Sequence, residues 1–131
     1  MKSLFVSAAI FIFSFSALAQ EESTIDTSRF YGAAVIQALN KTTAKSVVLE
    51  VPVSQKITFG TLKIIAHKCW QAPLDQRPES KVLLEVFETK TEKDSEKEER
   101  IFYGWMFASS PSISGLENPI YDLTILKCKN R

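Results

Sequence analysis

The 131-residue chain is poor in the residues that build catalytic and metal centres. It has one histidine, His67, and two cysteines, Cys69 and Cys128. A single imidazole with no C-x-x-C beside it does not make a standard zinc site or a dithiol redox pair. There is no G-x-S-x-G, so the serines at 109, 110, 112 and 114 lack a nucleophile elbow. A hydrolase built on His67 and one of these serines has no motif behind it. Only four glycines are present and none forms a phosphate-binding loop. No internal repeat and no long amphipathic helix appears. No cofactor and no metal is expected.

Charge of one sign is also missing. The chain has 16 Lys and Arg against 15 Asp and Glu. Residues 1–19 contain Lys2 as their only charge, and without them the balance is zero. Net charge therefore directs the protein neither to nucleic acid nor to anionic lipid.

One long hydrophobic run does exist. Met1-Lys2 is followed by an apolar stretch from Leu4 to Phe15, and then by Ala17-Leu18-Ala19. That order marks residues 1–19 as a secretory signal peptide, too short to span a bilayer as an anchor. No later run is long enough for a transmembrane segment. The expected location is the periplasm, an oxidising compartment. An even pair of cysteines there is read as a disulfide, Cys69–Cys128.

Residues 20–30 are polar and without period, and are expected to form a flexible N-terminal tail. From 31 to 131 the pattern is that of a β domain. Val47, Leu49 and Val51 fall on one side of an alternating run, with Val48 and Glu50 on the other, and Leu62, Ile64 and Ala66, Val82, Leu84 and Val86, and Tyr121, Leu123 and Ile125 alternate in the same way. Short strands at hairpin spacing predict an all-β fold, a single small antiparallel sandwich or a partly open barrel. Glu88 to Arg100 is almost wholly charged and polar and is expected to be a solvated hairpin tip with frayed strand ends. Ser110, Pro111 and Gly115 could start and stop one helical turn. By parity, neither cysteine lies on the cleaner apolar face of its strand. A bridge on an outer face or at a sheet margin would suit both.

The acids outside the charged segment are Glu50, Glu85, Glu117 and Asp122. Asp122 sits in an apolar strand and is expected to be hydrogen-bonded. Ile101 to Phe107 differs in kind, because both of its faces are apolar. One face should meet the core, and the other needs a cover from within the domain or from a partner. Trp105, Phe107, Ser109, Ser110, Glu117 and Tyr121 form the candidate contact patch. The leading expectation is a non-enzymatic protein that contacts another envelope protein, as an accessory or assembly factor. The alternative is a module binding peptidoglycan or another envelope glycan, which needs exposed rings among Trp70, Tyr103, Trp105 and Tyr121.

The block Gly104-Trp105-Met106-Phe107-Ala108-Ser109-Ser110-Pro111, with Leu116-Glu117-Asn118-Pro119-Ile120-Tyr121-Asp122 after it, resembles a family of small exported alphaproteobacterial proteins known as domain of unknown function 2155. Pro52-Val53, Phe59-Gly60-Thr61-Leu62, Cys69 and Cys128 are similar to the same family, so the likeness runs from about Val35 to Cys128. It implies export and one compact domain, and brings no activity, cofactor or catalytic residue.

Overall fold

A computed structural model describes residues 29–112 and 115–130. The expected signal peptide and all but the last two residues of the expected tail lie outside the described residues. Among the described residues eight strands follow one another: β1 (Phe30–Tyr31), β2 (Ala33–Asn40), β3 (Lys45–Pro52), β4 (Lys56–Phe59), β5 (Leu62–Gln71), β6 (Ser80–Glu92), β7 (Ser95–Phe107) and β8 (Tyr121–Lys129). They form two antiparallel sheets that do not close into a barrel. The larger runs β1-β5-β6-β7, with β4 also paired to β5, and the smaller runs β3-β2-β8.

The two sheets meet face to face because each strand turns its apolar alternate residues inward. Leu62, Ile64 and Ala66, Val82, Leu84 and Val86, and Met106 from the larger sheet are buried. Ala34, Ile36, Ala38, Val51, Leu123 and Ile125 close the core from the smaller one. The β2–β3 hairpin turns through Lys41-Thr42-Thr43-Ala44, where the Asn40 carboxamide oxygen accepts the backbone N–H of Thr42 at 3.0 Å and of Thr43 at 3.2 Å. Pro52 ends β3, an edge strand, where its missing N–H costs no ladder bond.

Three sequence expectations change here. First, the disulfide is central rather than marginal. Cys69 on β5 and Cys128 on β8 join the two sheets, with Cα atoms 5.8 Å apart, and both residues are buried. Each strand carries a register shift just before its cysteine, between Ala66 and Lys68 in β5 and opposite Val35/Ile36 in β8. The extra residues, His67 and Leu126, reverse the alternation, so both sulfurs turn inward. Simple parity, which assumes an unbroken pleat, gives the opposite face.

Second, the charged segment is not a frayed loop. β6 and β7 stay paired out to Glu92 opposite Ser95, around a two-residue turn at Lys93-Asp94. Both turn residues have positive φ, 47° and 65°, the pattern of the hairpin turn whose twist matches its strands. Across this exposed ladder Lys90 pairs with Glu99 at 2.9 Å. Glu98 is held by Lys63, and Lys56 lies 3.7 Å from it. Backbone pairing supplies the order that composition argued against.

Third, there is no helix among the described residues after β7. Pro111 and Ser112 lie in a turn, and Ile113 and Ser114 of the expected helical turn lie outside the described residues.

Candidate docking surface

The outer face of the larger sheet is built from the residues left over once the core alternates are spent. Strand register sets them in rows across the sheet. Phe30, Trp70, Lys81 and Phe107 form one row, from β1, β5, β6 and β7. Lys68, Leu83 and Trp105 form the next, and Ile65, Glu85 and Tyr103 a third. All are partly or fully exposed. Tyr103 is 56% exposed.

Cations sit among these rings. Lys81 Nζ lies 4.8 Å from the Trp70 ring centre and 5.4 Å from that of Trp105. Lys68 Nζ is 5.9 Å from Phe30, and the Arg100 guanidinium is 5.4 Å from Tyr103. Lys56 approaches Phe87 at 5.3 Å. Such contacts are worth about 0.5–1 kcal/mol each at exposed sites and fix where the charged heads stand. Glu85 lies 3.4 Å from both His67 and Arg100, and His67 meets Tyr103 edge-on at 5.9 Å. Among the described residues, Lys68 and Lys81 contact rings but no carboxylate.

The expected patch divides in two. Trp105 and Phe107 stand half-buried on this outer face. Tyr121 does not: it is 6% exposed, and its ring packs edge-on to Phe59 at 5.7 Å beneath the larger sheet. Its hydroxyl oxygen accepts the Thr61 N–H at 3.2 Å. Gly60 makes that possible, because a Cβ there would lie 2.3 Å from the same hydroxyl, and its φ is +58°.

Ser109 is exposed but engaged. Its hydroxyl donates to Glu79 Oε2, and the backbone N–H groups of Ser109 and Ser80 donate to Glu79 Oε1 at 3.1 and 3.0 Å. Burial pushes the Glu79 carboxyl up, but these hydrogen bonds, the Ser109 hydroxyl first, outweigh it and hold the group below its ordinary 4.5. Ser110 is half-buried and Glu117 exposed in the connection that follows. Asp122, opposite Leu39, is half-buried on the outer face of the smaller sheet. Glu50 there pairs with Lys129 at 2.9 Å.

Asn118 is a residue whose role the sequence did not signal. It is buried, and its side-chain oxygen accepts the N–H groups of Ile120 at 2.9 Å and Tyr121 at 3.0 Å. Its side-chain amide donates to Glu88 at 2.9 Å, and its backbone carbonyl accepts from Lys41 Nζ at 2.7 Å. One side chain thus ties the entry of β8 to the long hairpin. Lys81 and Leu83 were also missed. Part of the signal was in the sequence: the positions that alternate with Val82, Leu84 and Val86 hold Lys81, Leu83, Glu85 and Phe87, so the second face of β6 mixes apolar and charged residues.

A cleft of about 260 Å³ opens at the disulfide end, lined by Gln71, Pro73, Leu74, Glu79, Leu126 and Lys127 among others. His67 lies outside it, on the open sheet face. No group of three or more potential metal ligands occurs among the described residues. Also among them, no helix is long and apolar enough to cross a membrane.

Fold and surface together define a class: a small antiparallel β sandwich, bridged between its sheets by a disulfide, with an outer face of rings and cations. The chain belongs to the DUF2155 family, whose model, described as an uncharacterised protein conserved in bacteria, matches residues 34–128. An uncharacterised protein of Rickettsia prowazekii (strain Madrid E) is 34% identical over 93 residues, which is 71% of this chain and 58% of that protein. The chain therefore spans less than two thirds of that relative's length. This rickettsial relative agrees with the expected alphaproteobacterial distribution. No solved structure matches. Neither description assigns a reaction.

Proposed function

We propose that this domain is a non-catalytic periplasmic protein that works by contact with another envelope protein, as an accessory or assembly factor of an envelope or inner-membrane complex. The contact surface is the outer face of the larger sheet around Trp105 and Phe107. One observation carries the reading: Trp70, Trp105, Phe107 and Tyr103 share that face with Lys68 and Lys81, and none of the four rings is fully buried by the described residues. Exposed aromatic side chains, tryptophan and tyrosine above all, are the residues enriched in contact hot spots. The inter-sheet disulfide favours an oxidising compartment, and the signal-like N-terminus favours export.

Glycan binding ranks second. Trp70, Tyr103 and Trp105 remain on one face, but Tyr121 is out of reach in the core. Lys81 stands over both indole rings, at the position a stacking sugar would occupy. A hydrolase fares worse, since His67 and Glu85 lie on an open face away from the cleft.

The test is a photo-crosslinking residue placed at position 105 in living cells, followed by gentle solubilisation. A discrete covalent adduct with one envelope protein is expected from position 105. None is expected from position 37 on the outer face of the smaller sheet. An adduct-free position 105 ends the proposal.

A further inference from the structure

β7 is an edge strand. It pairs with β6 and, among the described residues, with nothing on its other side. The bond from Ala108 N–H to Ser80 O, at 2.8 Å, sets the phase of its ladder. Hydrogen-bonded pairs recur at every second residue in an antiparallel ladder. Met106, Gly104 and Phe102, opposite Val82, Leu84 and Val86, are therefore the residues bonded to β6. Tyr103, Trp105 and Phe107 point their backbone N–H and C=O groups away from β6, toward the open edge. The same three residues raise their rings on the outer face.

An apolar edge strand with free donors and acceptors is a template for another strand. Natural edges are blunted by proline, charge, brevity or a bulge. β7 has such protection in its charged half, Ser95 to Arg100, and at Ile101, the extra residue opposite Val86/Phe87, but not from Phe102 to Phe107. From Ile101 to Phe107 it has no charge and no proline.

Charge selects the occupant. Toward the charged end of this face the cations are matched, Arg100 and His67 with Glu85 and Lys56 and Lys63 with Glu98, whereas Lys68 and Lys81 at the other end have no carboxylate among the described residues, and Lys81 is the one nearer the open edge. Lys81, directly opposite Phe107, has indole contacts and no carboxylate. A strand added to β7 would lie two strand spacings from β6, about 9.6 Å. A glutamate on its outer face and the Lys81 side chain are together long enough to meet across that distance, over the Phe107 ring.

We propose that the edge of β7 over residues 103–107 receives an extended segment of a partner polypeptide as an added strand, and that a carboxylate on this segment pairs with Lys81. This rests on the docking reading above and specifies how the partner is held. Backbone pairing would give affinity, and the alternate side chains the selectivity.

The test uses the purified, disulfide-bonded protein and two synthetic decapeptides, one alternating valine with glutamate and the other valine with lysine. Amide hydrogen exchange is read residue by residue. The acidic peptide is expected to slow exchange at Tyr103, Trp105 and Phe107 by about tenfold or more, leaving Gly104 and Met106 little changed. The basic peptide should bind about tenfold more weakly, and Lys81→Glu should reverse that preference. Lys68→Glu, one strand further from the edge, should leave it in place.

No binding of either peptide up to about 1 mM overturns the proposal. So does binding that leaves the three amides unprotected, or binding of phosphatidylglycerol vesicles in place of the peptide. A dimer formed without peptide, with the same amides protected, makes a second copy the occupant and also overturns it. Crosslinks from position 105 that persist without amide protection would reject strand addition and keep the docking reading. Their absence would reject both.

Discussion

The seam between the two sheets and the outer face of the larger sheet use the family's motif residues in opposite ways. In the seam every such residue is occupied. Gly60 yields space to the Tyr121 hydroxyl, Asn118 gathers the entry of β8, and Cys69 and Cys128 bridge the layers. Ser109 is held by Glu79 where the connection leaves β7. On the outer face, Trp105 and Phe107 come from the same motif block but take no part in that framework. Seam residues have a sufficient reason in folding. The two face residues do not, and contact with something outside the chain is a reason that fits them.

This contrast predicts that seam variants lose stability and face variants lose binding. The largest effect should come from the disulfide. Its 59-residue separation implies a loss of about 4 kcal/mol on replacing Cys69 and Cys128 with serine, read as a lower denaturation midpoint matched by reduction of the native protein. Gly60→Val comes next, at about 3 kcal/mol, because it combines a positive φ with a clash against Tyr121. Purified Gly60→Val with native thermal stability would remove Gly60 from the seam. Asn118→Ala should cost about 2 kcal/mol in chemical denaturation, since it strips partners from several polar groups at once.

Glu79→Gln sharpens the comparison through pH. The folded-state pKa of Glu79 is depressed, so its contribution is present above the unfolded value near 4.5 and fades as pH falls through the lower folded value. The variant should lose about 1 kcal/mol at neutral pH and show a shallower decline of Tm in acid. An unchanged acid limb would count against this role. Smallest in stability is Trp105→Ser, at less than about 1 kcal/mol, while partner binding should weaken by about tenfold or more in a titration. If that variant unfolds like Gly60→Val, the distinction between seam and face collapses.

Much of this architecture was legible in advance. Period-two runs located β3, β5, β6 and β8. The two-sided Ile101–Phe107 strand was visible as a surplus of apolar residues. Tyr121 was placed in the patch although it shares the parity of Leu123 and Ile125, and the structure buries it with them, its hydroxyl fitted against Gly60. The charged hairpin was misread because composition reports what a segment can bury, whereas a ladder with a well-chosen turn is held by backbone bonds.

The linear chain was enough to establish the β character, the polarity of most strand faces and the pairing of its two cysteines, since these follow from local period and composition. It could not establish which way the cysteines face. That depends on one extra residue in β5 and one in β8, and a bulge exists only relative to the partner strand that skips it. The same holds for the rows of rings and lysines on the outer face, because neighbours across a sheet are set by register between strands far apart in the chain.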